Sequence, residues 1–159
     1  MDTESVQVLY DANHWVTSAL VAGRVVLADS INQAINPGLV RQLRQLYAPV
    51  LTSAGRLHVH VLPCQKQAGG SACGLFAAAY AFDLASGSDS LDCLYGSENE
   101  MRAHLEMCLD AEALIPFPKK ANKKRGERRS RACVCCDNVR TLRRELSCMH
   151  NIVLIETME

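Results

Sequence analysis

Apolar and polar positions in the first third of the chain follow a pattern that predicts strands. Three segments rich in β-branched and apolar residues are expected to be strands: residues 6–10, 14–21 and 24–28. Ala22 and Gly23 separate the last two, and a two-residue break of this kind predicts a tight hairpin turn. Residues 57–63 alternate between apolar and polar and predict a further strand. The sequence therefore predicts a small sheet.

Helical patterns follow these strands. Leucines at helical spacing predict a short amphipathic helix over residues 39–47, and the small, apolar segment 73–86 predicts a buried helix. Residues 89–96 are predicted to be a loop. Residues 97–100 (Ser-Glu-Asn-Glu) have a capping-box pattern, which predicts the start of a helix continuing over 101–114. The pattern is typical of an α+β fold with a small mixed sheet packed against helices.

Charge divides the chain into parts. Residues 1–118 hold 6 Lys and Arg against 12 Asp and Glu, whereas residues 119–131 hold 8 against 1. We therefore predict a domain over 1–118, a solvated basic linker over 119–131 and a Cys- and His-containing tail over 132–159. The basic segment has the composition of a nuclear import signal, and any contact with nucleic acid is expected to be weak and confined to it.

Hydropathy and cysteine content bear on the cellular compartment. No apolar run approaches the roughly 18 residues of a membrane span, and the N-terminus lacks the layout of a secretion signal. A protein of the nucleus or cytoplasm, without membrane contact, is expected. The eight cysteines are then expected to be free thiols, catalytic groups or metal ligands rather than disulfides.

Cys73 stands at the first turn of the predicted buried helix. A helix N-terminus favours the thiolate form of cysteine through its partial positive charge and its free backbone N–H groups. The small neighbours Gly70 and Gly74 would let a substrate backbone approach the sulfur closely. A cysteine at the start of an apolar helix is also commonly a buried structural residue, so this position leaves both interpretations open.

Three further polar residues complete a candidate constellation. His14 begins one predicted strand and Asp29 follows the next, so the hairpin could bring an imidazole and a carboxylate together. The imidazole would take the thiol proton, and the carboxylate would fix its tautomer. Gln67, six residues before Cys73, could donate a side-chain N–H to an oxyanion. The structural alternatives are a partly exposed strand histidine, a turn at Asp29-Ser30 and an ordinary loop glutamine.

The same residues resemble the motifs of Ulp/SENP-type cysteine proteases, which are ubiquitin-like-protein-specific. The matching segments are His14-Trp15, Asp29-Ser30 and residues 65–76, which contain the Gln-x5-Cys-Gly motif from Gln67 to Gly74. The order His, Asp, Gln, Cys agrees as well. The resemblance runs through residue 118, about three quarters of the chain, where the sequence is similar to Ulp-like domains in animal mobile-element proteins.

This resemblance implies a papain-like α+β fold and cleavage after the Gly-Gly end of a ubiquitin-like modifier, SUMO or NEDD8, or of its conjugates. It implies four catalytic residues: His14 as general base, Asp29 as its orienting carboxylate, Gln67 as oxyanion donor and Cys73 as nucleophile. Trp15 would line the narrow passage for the Gly-Gly tail, beside Gly70 and Gly74. No cofactor is expected for this chemistry.

Two features differ from the family pattern. Ala72 stands where the family usually has Asp directly before the catalytic Cys. The chain also begins 13 residues before His14, whereas family members have a substantial N-terminal half there, so a truncated catalytic half is expected. The alternative function is a catalytically inactive or truncated Ulp-like module, or a mobile-element remnant, that acts only in binding.

The tail contains a candidate metal site. Four side chains have spacings compatible with a tetrahedral zinc ion: Cys133, Cys136, Cys148 and His150. The spacing resembles the first half of a RING or PHD-type finger, and the chain ends nine residues later. The tail can be interpreted either as an incomplete zinc finger or as a segment with incidental thiols, and the sequence leaves both interpretations open.

Overall fold

The protein has a mixed α+β fold, as the sequence predicts. A computed structural model describes residues 5–31, 33–87, 93–121 and 152–155. Its main sheet contains five strands: β1 (Ser5–Asp11), β2 (His14–Val21), β3 (Arg24–Ala28), β4 (Leu57–Val61) and β7 (Ile152–Ile155), in the spatial order β1-β2-β3-β4-β7. A second, two-stranded sheet joins β5 (Cys93–Tyr95) to β6 (Lys119–Ala121). All pairs are antiparallel except β3 with β4, so the main sheet is mixed.

Two tight turns connect the first three strands. Ala22 and Gly23 have φ of 50° and 75°, and Ala12 and Asn13 have φ of 48° and 61°. Two successive left-handed residues match the twist of antiparallel strands, which is why turns of this kind close two-residue hairpins. The predicted hairpin is confirmed, and His14 follows directly after a chain reversal.

Helix α1 (Pro37–Leu46) connects the parallel strands β3 and β4. Its start is determined locally, because the Asn36 side chain accepts a hydrogen bond from the Leu39 N–H at 2.9 Å and Pro37 occupies the first turn. Leu39 and Leu43 are buried in a cluster with Val25 and other residues on one side of the sheet. Because β3 and β4 run in parallel, their C-terminal ends lie at the same end of the sheet.

Helix α2 (Cys73–Ala85) covers the opposite face. Phe76 and other α2 residues share a cluster with Ala19 of β2 and Val26 of β3, and Thr17 Oγ1 donates to the Ala77 carbonyl at 2.7 Å. Successive β3 residues therefore enter different clusters, one on each side of the sheet. This explains why the buried residues of β3 are apolar on both faces of the sheet.

Helix α3 (Glu98–Asp110) begins with the predicted capping box between Ser97 and Glu100. It ends earlier than the sequence predicts, at Asp110, and Glu112 then has a left-handed φ of 50°. No helix among the described residues has the length and apolar content needed to cross a membrane.

Two elements differ from the predicted division of the chain. Residues 93–95 form β5 within the predicted loop, and its partner β6 occupies the first three residues of the predicted basic linker. Lys119 Nζ donates to the buried Asp83 carboxylate at 2.5 Å. A three-residue strand has no hydrophobic period, and its anchoring partner lies on a distant helix, so the sequence pattern did not predict it. The ordered unit extends past residue 118.

The C-terminal strand β7 also differs from the expected division, because it lies in the main sheet rather than in a separate tail. It pairs with β4, with Val153 opposite Val59, and Ile155 is buried. The run Ile-Val-Leu-Ile is rich in β-branched residues, which was the available signal for a strand. Residues 122–151, which include most of the predicted linker and all four proposed zinc ligands, lie outside the described residues.

Candidate active site

The topology brings the motif segments to one end of the main sheet. β2 begins and β3 ends at this end because the two strands are antiparallel. β4 also ends there, since it runs parallel to β3. Residues 62–72 lead from β4 to α2, and the Gln67 N–H donates to the Ser30 carbonyl at 3.0 Å just past the end of β3.

His14 and Asp29 form a hydrogen-bonded pair at this end. His14 Nε2 lies 2.7 Å from Asp29 Oδ1, and their side chains are 12% and 7% exposed. The carboxylate also accepts the backbone N–H groups of Ile31 at 2.8 Å and Gln33 at 3.1 Å, so both its oxygens are engaged. These bonds fix the carboxylate, and the carboxylate in turn fixes the plane of the imidazole.

The pairing defines which ring nitrogen can act as a base. An ionised carboxylate only accepts hydrogen bonds, so the bond to Asp29 assigns a proton to His14 Nε2. In the neutral form of the ring, Nδ1 then carries the lone pair and is the atom that can act as a base. Nδ1 is buried and has no hydrogen-bond partner among the described residues. The arrangement is that of an imidazole oriented by a carboxylate, with its second ring nitrogen buried and not engaged by any described residue.

Trp15 and Gly74 connect the His14 strand to the Cys73 helix. A Cβ added to Gly74 would lie 3.3 Å from Trp15 Cδ1, so the indole ring packs on the backbone of the first turn of α2. His14 precedes Trp15 and Cys73 precedes Gly74, each one residue, or about 3.8 Å, away along the chain. Cys73 is buried and free of disulfides. Its thiol forms no hydrogen bond with His14 Nδ1 in this structure.

Gln67 lies in the loop before α2 and is held by Ser30. Ser30 Oγ donates to Gln67 Oε1 at 2.7 Å, and Gln67 Nε2 donates to the Gly69 carbonyl. Gly70 has open space where a Cβ would lie, with no atom within 4 Å. The loop therefore presents an amide group and an unobstructed backbone before Cys73. Ser30 directly follows Asp29, but no sequence pattern predicted this contact with Gln67.

An exposed aromatic pair lies beside this site. Tyr10 and Trp15 face each other across β1 and β2, with ring centroids 4.6 Å apart. Trp15 is 40% exposed, although it packs against both Tyr10 and Gly74. Tyr10 was not among the predicted site residues, and its available signal is its position opposite Trp15 across the two strands.

Cys64 and Tyr80 support the site from the α2 side of the sheet. Cys64 Sγ donates to the Asp29 carbonyl at 3.3 Å, and Tyr80 Oη donates to the Gln65 carbonyl at 2.5 Å. Burial raises the pKa of the Cys64 thiol, and burial, followed by the nearby Cys64, raises the pKa of the Tyr80 hydroxyl. Both groups therefore stay protonated at neutral pH and act as donors to the backbone around the site.

Other histidine and cysteine side chains form no metal site in the described part of the chain. No group of three or more His, Cys, Asp or Glu side chains there is arranged to hold a metal ion. His104 and Cys108 share one face of α3, with Cys108 Sγ 3.5 Å from His104 Nε2, and both are buried. The proposed zinc ligands Cys133, Cys136, Cys148 and His150 are outside the described residues.

No protein-family model matches the chain, and neither the curated proteins nor the solved structures give a match. In its described residues the protein is a mixed α+β domain with a small mixed sheet and three α-helices.

Proposed function

We propose that this chain is a cysteine-type peptidase or isopeptidase of papain-like fold, with Cys73 as nucleophile and His14 as base. The observation that carries the proposal is the His14–Asp29 hydrogen bond of 2.7 Å. It leaves a buried Nδ1 that no described residue engages, at the end of the sheet where α2 begins with Cys73. A histidine and a carboxylate oriented in this way are the supporting parts of a nucleophile activated by a base.

The acylation step follows from these roles. His14 Nδ1 takes the thiol proton, and the Cys73 sulfur attacks the carbonyl carbon of the scissile amide or isopeptide bond. The new C–S bond forms, and the C–N bond breaks as the imidazolium gives its proton to the departing amine. Asp29 stabilises the imidazolium through Nε2, as its hydrogen bond with His14 already does for the neutral ring.

Hydrolysis of the thioester completes the cycle. A water molecule gives one proton to His14 Nδ1 while its oxygen attacks the acyl carbon. The C–S bond then breaks, the imidazolium returns its proton to the Cys73 sulfur, and the carboxylic acid product loses its remaining proton to solvent. In both steps negative charge develops on the acyl oxygen, where the Gln67 amide and the backbone N–H of Cys73 would donate hydrogen bonds.

The substrate class comes from the resemblance to Ulp/SENP-type proteases and from the shape of the loop. The exposed rings of Trp15 and Tyr10 and the open backbone at Gly70 suit an extended tail without side chains. We accordingly propose the Gly-Gly end of a ubiquitin-like modifier, SUMO or NEDD8, as the substrate. The basic composition of residues 119–131 supports action in the nucleus.

A panel of modifier probes tests the proposal. The purified chain is incubated separately with three probes that carry a C-terminal electrophile: ubiquitin, SUMO and NEDD8. The masses of the products are then measured by mass spectrometry. We expect one modifier to form a covalent adduct that is lost in Cys73→Ala and kept in Cys108→Ala, whose thiol lies on α3 beside His104. A folded wild-type chain that forms no adduct with any of the three would contradict the proposal.

A second candidate is a module that binds such a modifier without cutting it. The observation that favours it is the missing hydrogen bond between the Cys73 thiol and His14 Nδ1. Tryptophan fluorescence, added to the same panel, separates the two functions. Trp15 is the only tryptophan in the chain, so its emission reports on this site alone. A binding module would show a shift of tryptophan fluorescence with a modifier that lacks the electrophile, and no adduct with the reactive form.

A further inference from the structure

Two hydrogen bonds join Ser30 to Gln67. The Gln67 backbone N–H donates to the Ser30 carbonyl at 3.0 Å, and the Ser30 hydroxyl donates to Gln67 Oε1 at 2.7 Å. Ser30 itself is 2% exposed, so its hydroxyl is isolated from bulk water. Ser30 therefore holds both the backbone and the side chain of Gln67 in place.

The side-chain bond determines which way the Gln67 amide faces. An amide has one oxygen and an NH2 group with two donors. With the oxygen engaged by Ser30, the NH2 group must face the loop, where one N–H donates to the Gly69 carbonyl. The second N–H has no described partner within the loop, and it is the donor available to a bound carbonyl. In the flipped orientation the Gln67 oxygen would face the Gly69 carbonyl oxygen, which is repulsive.

We infer that Ser30 is a positioning residue, which holds the Gln67 amide so that its free N–H faces the carbonyl oxygen of the substrate. This inference rests on the function proposed above. Asp29 and Ser30 are neighbours, so one dipeptide at the end of β3 orients both halves of the site. Asp29 orients the imidazole of His14, and Ser30 orients the oxyanion donor.

The catalytic test uses the modifier that gives an adduct, now carrying a C-terminal aminomethylcoumarin. Gln67→Ala is expected to lower kcat by about a hundredfold, as expected when an oxyanion donor is lost. Ser30→Ala is expected to lower kcat about fivefold, the rate equivalent of one ordinary hydrogen bond, with KM unchanged. Ser30→Ala placed in the Gln67→Ala background should cause no further loss, because Ser30 acts only through Gln67. If Ser30→Ala lowers kcat by a further fivefold in the Gln67→Ala background, or if Ser30→Ala alone changes only KM, the inference is overturned.

A second measurement does not depend on turnover. The side-chain 15N–1H pair of Gln67 is identified by its absence from the Gln67→Ala spectrum. We expect one of its two protons to exchange with water more slowly than those of the exposed Gln45, and this protection to disappear in Ser30→Ala. Unchanged resonances in Ser30→Ala would overturn the inference. If the wild-type chain does not hydrolyse the coumarin substrate, the proposed function has failed, and this spectrum alone decides the role of Ser30.

Discussion

The indole ring of Trp15 packs on Gly74, leaving 3.3 Å between Trp15 Cδ1 and the place where a Cβ would be. This contact joins the first turn of α2 to the start of β2. Together with the Thr17–Ala77 hydrogen bond, it holds the segments of the proposed nucleophile and base together, although they are separated by more than 50 residues of sequence.

Gly74→Ala tests that contact. The added methyl group forces the indole to move by a few tenths of an ångström, while the higher helix propensity of alanine contributes up to about 1 kcal/mol in the other direction. We expect a free energy of unfolding within about 1 kcal/mol of wild type, a shifted tryptophan emission and slower adduct formation.

Gly70→Ala is the matched control for this substitution, because a Cβ there meets no atom within 4 Å. It should leave the tryptophan emission at its wild-type wavelength. Wild-type emission and adduct formation in Gly74→Ala as well would show that Trp15 and α2 are not in contact.

Asp29→Asn tests the orientation of the imidazole. The asparagine oxygen can still accept from the Ile31 N–H, but the side chain loses the negative charge that fixes the His14 tautomer and stabilises the imidazolium. Hydrolysis of the coumarin substrate should fall by about 10² to 10⁴. Asp110→Asn, on an exposed position at the end of α3, should retain full activity. Equal activity in both variants would remove Asp29 from the mechanism.

Lys119→Met tests whether residue 119 belongs to the folded unit. Asp83 is 0% exposed, and Lys119 lies 2.5 Å from one of its oxygens while the Tyr95 hydroxyl donates to the other. Removing the cation from a buried ion pair should lower the free energy of unfolding by about 3 kcal/mol or more, measured by urea denaturation.

Two variants serve as controls for Lys119→Met. Adding Asp83→Asn should recover part of the loss, because the neutral amide needs no cation. Lys66→Met removes an exposed lysine and should change the free energy of unfolding by less than about 0.5 kcal/mol. A similarly small change in Lys119→Met would mean that the predicted solvated linker begins at residue 119 after all.

His60 predicts a loss of stability in mild acid. Burial is the main cause that lowers the pKa of His60 below the ordinary value of 6.5, and the nearby charges of Arg24 and His58 lower it further. His60 Nδ1 is buried and has no hydrogen-bond partner among the described residues. A histidine with a lowered folded-state pKa binds more protons when unfolded. The contribution of neutral His60 to the free energy of unfolding is therefore fully present above pH 6.5, and it is lost as the pH falls from there through the folded-state pKa.

Urea denaturation at pH 7.5 and pH 5.5 measures this effect. His60→Gln should reduce the difference between the two pH values, whereas His58→Gln, at an exposed position of the same strand, should largely preserve it. An unchanged difference in His60→Gln would place the acid sensitivity elsewhere.

Local sequence signals predicted the elements around the site well. The tight turn at Ala22-Gly23 and the apolar strands on either side predicted a hairpin, and that hairpin is why Asp29 lies beside His14. The helix beginning at Cys73 was also predicted, because small apolar residues without Pro continue to Gly87. Each of these predictions depended on residues close together in sequence.

Long-range contacts were not predictable in the same way. The Ser30–Gln67 bond links residues 37 positions apart, and the Lys119–Asp83 bond links residues 36 apart. Neither pair has a pattern in the sequence, because each depends on the parallel pairing of β3 with β4 or on the packing of α2. β7 is a different case, since its β-branched run was visible but its place next to β4 was not.

The most direct measurement for the central claim is the alkylation rate of Cys73 in wild type and in His14→Gln. The chain is treated with limiting iodoacetamide at pH 6, where a thiol without a neighbouring base reacts slowly, and each cysteine is quantified by peptide mass spectrometry. We predict that Cys73 is modified faster than Cys64 and Cys108, and that its rate falls at least about tenfold in His14→Gln but not in His58→Gln. Equal Cys73 rates in wild type and His14→Gln would contradict a Cys73–His14 catalytic pair.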